Sequence, residues 1–339
     1  MTSTSSSEPL LVVEDLCIDV TPVGDKKPVP AVRNVSFQVA AGEAVGLVGE
    51  SGSGKSLTLR TILGLLPAGV KATGGRVLFE GVDLLKAPKK TLKNLRGTGI
   101  TMIFQEPMTS LNPITKVGEQ IIDAARAKHS WSKSDARNHA LRLARHMGVP
   151  DAENVLSLYP HELSGGLRQR VMIAAALACR PKLVLCDEPT TALDVTIQAQ
   201  IIRLLLELKD ELGMSMLYVT HDLAVVAQLC QRLEVMYSGS IVESGLVSDL
   251  FREPNHPYTQ GLVNATPDVD AVVDLLTGIR GNAPTLGNWP EGCAFHPRCD
   301  FATEECTSGE FPLRDTGDGR ASACIHIERL HESTRHGAR

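Results

Sequence analysis

The chain has 339 residues, of which 43% are hydrophobic and 22% are charged, and its formal net charge is -5 at pH 7. This composition is typical of a globular protein with one large domain or two smaller ones, and it argues against general disorder. The acidic balance, without a dense block of Lys and Arg, argues against DNA or RNA as a partner.

The apolar runs and the N-terminal region bear on where the protein resides. The longest apolar run, residues 171–179, is shorter than the roughly 20 residues that a membrane-spanning helix needs. Residues 1–9 lack the basic residues and apolar core of a secretory signal, so we expect a disordered tail there and a protein that stays in the cytoplasm. Its cysteines are then expected to remain reduced.

The first part of the sequence contains two predicted strands and a glycine-rich loop. Residues 12–20 and 31–39 are predicted strands of a β-rich entry. An apolar strand at residues 44–48 leads into GESGSGKS, and residues 57–66 then predict a buried helix. This order of elements matches a phosphate-binding loop formed by Gly49, Glu50, Ser51, Gly52, Ser53, Gly54, Lys55 and Ser56.

The residue types of this loop suit ATP bound together with Mg²⁺. Glycines allow backbone N–H groups to converge on phosphate oxygens, and the N-terminus of the following helix favours negative charge. Lys55 would neutralise the β and γ phosphates, and the Ser56 hydroxyl would bind Mg²⁺. The alternative is a plain glycine-rich turn before a helix, and the complete eight-residue pattern argues against it.

The middle of the sequence predicts a helical subdomain over about residues 106–180. Apolar residues recur at helical intervals over residues 131–147, where Ser132 or Ser134 could be the N-cap. This segment separates the phosphate-binding loop from the next group of polar motifs.

The sequence LSGGLRQR at residues 163–170 predicts a second anion-binding helix terminus. Ser164 is a possible N-cap, and Gly165 and Gly166 expose backbone N–H groups before a helical run. Taken alone, these residues would form an ordinary loop before a helix. Because one nucleotide does not need both termini from one molecule, the pattern favours two copies face to face, each closing over the γ phosphate of the other.

Two acidic residues follow a predicted buried strand at residues 182–186. Asp187 suits a Mg²⁺ ligand, and Glu188 suits the group that orients and deprotonates the attacking water. An Asp-Glu pair at a strand end is by itself typical of a solvated turn, but its position downstream of the phosphate-binding loop favours catalysis. The helix predicted at residues 195–212, capped by Asp194, and a strand at residues 214–220 complete a βαβ unit.

Beyond residue 251 the sequence loses periodicity and becomes rich in Pro, Gly and Cys, which predicts an irregular C-terminal extension over residues 251–339. Four of the eight cysteines lie in apolar surroundings and are predicted core residues: Cys17, Cys179, Cys186 and Cys230. The other four lie in the extension with the spacing C-x5-C-x6-C-x17-C, and are Cys293, Cys299, Cys306 and Cys324.

These four thiols could organise the extension around a metal, since thiolates favour zinc and iron-sulfur clusters. Structural zinc sites use closely spaced pairs such as C-x2-C, which this segment lacks, so the spacing leans toward iron and sulfur. Zinc with His296 or His326 as a substitute ligand, and cysteines without any ligand, remain as alternatives.

The succession GESGSGKS, Gln105, LSGGLRQR, LVLCDEP, ALD at residues 192–194 and His221 resembles the ATP-binding subunits of ABC transporters over nearly the whole chain. The resemblance implies an α/β fold over residues 10–250, namely a P-loop NTPase cassette with a RecA-like core, a β-rich entry and a helical subdomain. It also implies a head-to-tail dimer with a homologous ATPase subunit, expected to be a heterodimer, with ATP between one phosphate-binding loop and the opposite LSGGLRQR.

The resemblance also implies roles for single residues. Gln105 would approach Mg²⁺ and couple to the membrane subunits, Asp194 would signal across the dimer, and His221 would contact the γ phosphate. The residues expected to contact the partner's ATP are Ser164, Gly165, Gly166, Arg168 and Gln169. Where the family stacks adenine on an aromatic ring, this chain has Val20, so we expect apolar packing on the base without a π face.

Two further segments, FQEPMTSLNP at residues 104–113 and REPNHPYTQGL at residues 252–262, are similar to the peptide and nickel importer branch. This likeness implies two membrane permease subunits, an extracytoplasmic substrate-binding protein and a peripheral position at the cytoplasmic face of the membrane. It implies uptake of di- or oligopeptides, with nickel or another small solute as the alternative. The likeness of the cysteine-bearing segment implies a [4Fe-4S] cluster held by its four thiolates.

Two other classes of ABC protein fit the sequence less well. Cassettes that act on DNA or ribosomes have a long coiled coil or a second cassette, and this sequence has neither a heptad run nor a repeat. A regulatory subunit that binds nucleotide without hydrolysing it is disfavoured, because Lys55, Glu188 and His221 are all present.

Overall fold

The structure, a computed structural model, describes residues 9–22, 24, 27–106, 110–190, 194–266 and 278–337. These residues fall into two compact units, which are described separately. The first unit comprises Ala40–Glu43 and Lys86–Tyr218, and the second comprises Pro9–Val39, Ala44–Leu85 and Val219–Arg339. Within the described ranges, none of the helices combines the length and the apolar character needed to span a bilayer.

The helices and strands are numbered in chain order. The strands are β1 (Leu11–Val20), β2 (Val29–Val39), β3 (Ala44–Val48), β4 (Val70–Phe79), β5 (Val82–Asp83), β6 (Ile100–Ile103), β7 (Leu183–Asp187), β8 (Ser215–Thr220), β9 (Arg232–Tyr237), β10 (Ser240–Leu246), β11 (Arg314–Gly317) and β12 (Arg320–Ser322). The α-helices are α1 (Lys55–Ile62), α2 (Lys89–Thr98), α3 (Val117–Lys128), α4 (Lys133–His146), α5 (Ala152–Val155), α6 (Gly165–Leu177), α7 (Val195–Leu212), α8 (Leu223–Leu229), α9 (Val247–Arg252), α10 (Pro257–Asn264) and α11 (Ile327–Gly337).

In the first unit, buried strands carry the candidate acidic residues. β6 pairs with β7 in parallel, with Ile103 opposite Cys186, and every residue of β7 is buried. A parallel strand that is buried on both faces has a continuous apolar sequence, and β7 could be predicted for this reason. α7 occupies the predicted residues, begins at the Asp194 N-cap and ends at Gly213, whose φ of 62° suits a helix C-terminus.

The helical part of the first unit also begins where the sequence indicates. The Ser132 side chain accepts a hydrogen bond of 3.1 Å from the Asp135 N–H and caps α4, so the first of the two proposed caps is the one used. One face of α4, which includes buried alanines and Leu143, packs inside the unit.

In the second unit, one sheet is antiparallel with the strand order β2-β1-β4-β5. The other set of strands begins with β3, which pairs with β9 in parallel, and continues through β10 and β12 to β11 in antiparallel order. All five residues of β3 are buried. This strand leads directly into the phosphate-binding loop and fixes where that loop starts.

Three predictions of local structure were wrong in part. The helix after the loop begins at Lys55 and ends at Ile62 rather than Leu66, because Gly64 has a φ of 67° and the Leu65 N–H turns back to the Arg60 carbonyl. The C-terminal extension is less irregular than expected, since it forms α10, α11 and the β11–β12 hairpin, which adds to β10. Cys17, predicted in the core, is half-buried.

Gly75 and Gly81 give a stability prediction. Both have a positive φ, of 84° and 78°, but an added Cβ at Gly75 would lie 2.4 Å from the Glu14 carbonyl oxygen, whereas at Gly81 it would meet nothing within 4 Å. We expect Gly81→Ala to cost about 1–2 kcal/mol through the backbone conformation alone. Gly75→Ala should cost roughly 1–3 kcal/mol more, because backbone atoms must move. Thermal unfolding of both variants checks this, and equal losses would contradict it.

Candidate functional site

The phosphate-binding loop leaves β3 through glycines that no other residue could replace without movement. Gly49 has a φ of 153°, and an added Cβ would lie 2.0 Å from the Met236 carbonyl oxygen. At Gly54, with a φ of 106°, it would lie 2.7 Å from the Met236 Cε. The loop therefore passes directly against the end of β9, where the Gly239 N–H also donates a 3.0 Å hydrogen bond to the Ser53 carbonyl.

Lys55 lies inside this loop and is 6% exposed. Its ammonium group donates to the carbonyl oxygens of Gly49 and Glu50, at 2.7 and 2.9 Å, and contacts the Ser53 hydroxyl at 3.4 Å. Gly54, at the N-cap of α1, has no side chain with which to cap the helix. Backbone N–H groups and a buried cation thus converge in one turn, which is the arrangement that binds phosphate.

The second unit also contains two other residues that the sequence analysis selected. Val20 is half-buried and is the last residue of β1, opposite Val29. His221 is exposed and follows β8 directly. The next residue, Asp222, caps α8 by accepting hydrogen bonds from the N–H groups of Ala224 and Val225, which fixes the point where the strand turns into the helix.

In the first unit, the structure brings Gln105 and Glu188 together. Their strands β6 and β7 are parallel neighbours, so both residues emerge at the same edge. The Gln105 side-chain amide donates to the Glu188 carboxylate at 3.4 Å. Glu188 is half-buried and has a φ of 45°, which is uncommon outside glycine and is often found at functional sites. Asp187, just before it, is 3% exposed.

The LSGGLRQR segment forms the N-terminus of α6. The Ser164 hydroxyl accepts a 3.4 Å hydrogen bond from the Leu167 N–H and caps the helix, as predicted. Ser164 and Gly165 are exposed, and an added Cβ at Gly165 would meet nothing within 4 Å. Gln169 is instead 2% exposed, and its amide donates to the Pro189 carbonyl. This hydrogen bond ties the helix to the residue that follows Glu188.

The remaining candidates of the first unit have local structural roles as well. The Arg168 guanidinium donates to the Leu163 carbonyl at 2.9 Å, and Gly166 is half-buried near Ile197. The exposed Asp194 accepts a 2.9 Å hydrogen bond from the Ile197 N–H and caps α7. Ala192 and Leu193 of the ALD motif, residues 107–109 of the FQEPMTSLNP segment and residues 1–8 of the predicted tail lie outside the described residues.

Sequence reasoning missed two residues that contact the phosphate-binding loop. The Tyr258 hydroxyl accepts a 2.8 Å hydrogen bond from the Glu50 N–H, and the Arg298 guanidinium binds the Glu50 carboxylate. Tyr258 lies in the REPNHPYTQGL segment, which the sequence analysis had used only to assign a subfamily. Arg298 lies 248 residues from Glu50, and no local pattern indicates their contact.

The four cysteines of the extension line one small cavity in the second unit. Phenylalanines and histidines complete its wall, and the thiols are those of Cys293, Cys299, Cys306 and Cys324. The Cys299 sulfur accepts a 3.4 Å hydrogen bond from the Phe301 N–H, and the Cys324 sulfur accepts one of 3.3 Å from the His326 N–H. Hydrogen bonds of this kind stabilise thiolates and surround cysteine ligands of metals.

Burial sets the protonation of these thiols. Desolvation raises the pKa of Cys299 to about 11 and that of Cys324 to about 12, and it also raises the pKa of Cys293. A positively charged group between them would have the opposite effect and favour the thiolates. Across the described ranges, no three His, Cys, Asp or Glu side chains form a group that could hold a metal ion.

Comparison with known proteins decides the family. Residues 32–191 match the ABC transporter family, and residues 242–306 match the C-terminal region of oligopeptide/dipeptide transporters. The oligopeptide transport ATP-binding protein OppD of Escherichia coli (strain K12) is 48% identical over 320 residues, covering 94% of this chain and 94% of that protein. The chain belongs to the ABC transporter family. The dipeptide transport ATP-binding protein DppD of Haemophilus influenzae is also 48% identical, over 91% of this chain and 93% of its own length.

Solved structures of the ABC transporter family share the fold. A dimeric ATP-binding cassette in a post-hydrolysis state, bound to ADP and Pi, is 28% identical with a TM-score of 0.63, and it covers 70% of this chain and 98% of its own. A dimeric bacterial ABC transporter cassette gives 29% identity and a TM-score of 0.62 over the same shares. The α/β cassette with a P-loop, expected from the sequence, is therefore confirmed.

A substitution at Lys55 tests the phosphate-binding loop of this ABC protein. Lys55→Ala removes the buried cation. We therefore expect the free energy of Mg-ATP binding to become less favourable by about 1.5–3 kcal/mol, which is the range for hydrogen bonds to charged groups. Lys71→Ala removes the same charge from an exposed position in β4 and serves as the control. Isothermal titration calorimetry checks both variants, and equal affinities would contradict the assignment.

Proposed function

We propose that this protein hydrolyses ATP to drive the uptake of di- or oligopeptides through membrane permease subunits. The observation that carries the proposal is its likeness, over nearly the full length, to oligopeptide and dipeptide transport ATP-binding proteins. The match of residues 242–306 to the C-terminal region of oligopeptide/dipeptide transporters supports the same branch of the family.

Residues of the two units have separate roles in the proposed reaction. Gly49–Ser56 would hold the phosphates, with Lys55 on the β and γ phosphates and His221 at the γ phosphate. Bound Mg²⁺, held by Ser56, Gln105 and Asp187, would offset the charge of the phosphates. Glu188 would take a proton from water as its oxygen attacks the γ phosphorus, and the bridging oxygen would leave with ADP. The Gln105–Glu188 hydrogen bond supports a shared role for these two residues.

The proposed working form is a head-to-tail dimer with a homologous ATPase subunit. Its support is the exposed N-terminus of α6, where Ser164 and Gly165 face open space. A helix terminus of this kind attracts anions, so it would bind the γ phosphate held by the partner subunit. Gly166 and Arg168 would contact the same ATP, whereas Gln169, which is 2% exposed, would position this terminus instead. Asp194 would signal across the dimer. The dimeric state of both related cassettes supports this arrangement.

The proposed partners are two permease subunits and an extracytoplasmic substrate-binding protein, with the ATPase at the cytoplasmic face of the membrane. Closure and reopening of the ATPase dimer would then switch the permease between its two access states. Substrate choice would belong to the other chains, which is why the nickel importer is an outcome of the test below.

Reconstitution in proteoliposomes with the permease and binding-protein subunits tests this function. Peptide-loaded binding protein should stimulate ATP hydrolysis, whereas stimulation by nickel without peptide would favour the alternative substrate.

Glu188→Gln should keep ATP binding and lose a factor of about 100 to 10,000 in turnover, because the proton acceptor is gone. Glu207→Gln, at an exposed position of α7, is the control. Undiminished hydrolysis by Glu188→Gln would refute the assigned base.

We keep a [4Fe-4S] cluster in the extension as part of this proposal. The comparisons carry no indication of a cluster, and no group of described residues has the geometry of a metal-ion site. The chemistry of the donor set supports it, because four thiols share one cavity and backbone N–H groups point at two of the sulfurs. Cys293, Cys299, Cys306 and Cys324 would hold the cluster, which would supply one-electron redox chemistry.

Elemental analysis of anaerobically purified protein tests the cluster. About four iron atoms and four acid-labile sulfides per chain are expected, and Cys306→Ser should lose them. Cys230→Ser, which changes a buried cysteine elsewhere in the second unit, should keep them. Zinc in place of iron would favour the zinc alternative, and protein without metal would remove the cluster from the proposal.

A further inference from the structure

Glu50 introduces a negative charge into a loop that must bind a polyanion. It is the second residue of GESGSGKS, and its carbonyl oxygen accepts a hydrogen bond from the Lys55 ammonium at 2.9 Å. A free carboxylate at this place would repel a triphosphate and would also be free to move with the loop. The structure shows how both effects are countered within the second unit.

Arg298 pairs with this carboxylate in a two-pronged contact. The two terminal nitrogens of its guanidinium donate to the two carboxylate oxygens of Glu50 at 2.7 and 2.9 Å. The Arg298 side chain is 6% exposed and that of Glu50 is 29% exposed. A bidentate pair with so little access to water fixes orientation and is screened much less than a surface pair.

The Arg298 guanidinium also donates to three acceptors other than Glu50. Its Nε donates to the Arg280 carbonyl at 2.8 Å, and its terminal nitrogens also contact the Gly281 carbonyl and the Tyr237 hydroxyl, both at 3.3 Å. All five of its N–H donors therefore have an acceptor. The pairing with Glu50 raises the pKa of Arg298, so the positive charge is maintained.

A second residue of the extension holds the backbone of Glu50. The Tyr258 hydroxyl accepts the Glu50 N–H at 2.8 Å, and burial raises the pKa of this phenol, which therefore stays protonated. The Tyr258 ring packs against Tyr237 and Phe295, with centroids 4.6 and 5.4 Å away. Side chain and backbone of one loop residue are thus both anchored to residues that follow residue 251.

We propose that Arg298 is a positioning residue of the nucleotide site, which neutralises Glu50 and holds the phosphate-binding loop in its anion-binding shape. Through it, the C-terminal extension sets the affinity of the chain for ATP. The inference rests on the proposed ATP-binding function of the loop and adds a residue from outside the cassette motifs. Tyr258 acts with Arg298 by fixing the backbone of the same loop residue.

The test compares Arg298→Gln with Arg314→Gln, which removes an exposed arginine from β11 in the same extension. Arg298→Gln is expected to weaken Mg-ATP binding at least tenfold, equal to about 1.4 kcal/mol, with a matching rise in KM and a kcat within about twofold. Arg314→Gln should match the wild type. Because the effect is electrostatic in part, the difference between the two variants should shrink as salt is raised.

A double variant separates charge neutralisation from a purely structural role. If Arg298 acts by neutralising Glu50, adding Glu50→Gln to Arg298→Gln should recover ATP affinity, because the repelling carboxylate is gone. A double variant that binds no better than Arg298→Gln would overturn the proposal, as would wild-type affinity in Arg298→Gln itself. If Arg298→Gln does not fold, Arg298→Met, which also removes the charge, and Tyr258→Phe are measured instead, and an unchanged ATP affinity in both would overturn the proposal.

The outcomes also distinguish this inference from the proposed function. If Lys55→Ala binds Mg-ATP more weakly than the wild type, while Arg298→Gln binds it as tightly as the wild type, the inference alone fails. If the wild type and Lys55→Ala both fail to bind, the proposed function fails first.

Discussion

The binding of the Lys55 ammonium by the carbonyl oxygens of its own loop is the interaction on which the proposed chemistry depends. A cation that is 6% exposed must be paired, and the carbonyls of Gly49 and Glu50 supply that pairing at 2.7 and 2.9 Å. These carbonyls can reach the ammonium because the loop turns sharply at glycines pressed against the end of β9. In the proposed complex phosphate oxygens would replace these carbonyls, and because the ammonium already lies in the loop, little reorganisation would be needed.

This arrangement explains why the loop is anchored from so many sides. The carbonyl of Glu50 accepts a hydrogen bond from Lys55, its N–H donates to Tyr258, and its carboxylate pairs with Arg298. Glu50 therefore contacts both the ammonium and the extension. Burial raises the pKa of the Tyr258 phenol and the pairing with Glu50 raises the pKa of Arg298, so neither of these two partners changes its charge near neutral pH. The extension therefore holds the loop through two side chains that keep the same charge near neutral pH.

The sequence predicted those parts of the fold whose signals are local. Buried strands such as β3 and the full span of α7 followed from apolar runs and helical periodicity, and the caps at Ser164 and Asp194 followed from residue type. The β11–β12 hairpin was missed because its strands have four and three residues, and because β12 pairs with β10 across a long stretch of sequence. The Arg298–Glu50 pair was missed for the same reason, since a contact over 248 residues leaves no periodic trace.

The cysteines show how one residue type takes different roles in different surroundings. Cys179, Cys186 and Cys230 are buried at separate places in the fold, as their apolar sequence context predicted. The four thiols of the extension share a cavity instead, and burial raises the pKa of three of them, so that converting them to thiolates requires a compensating cation. Cys299 follows Arg298 directly in the chain. Part of the wall of the cysteine cavity and the side chain that binds Glu50 therefore come from one short segment of the extension.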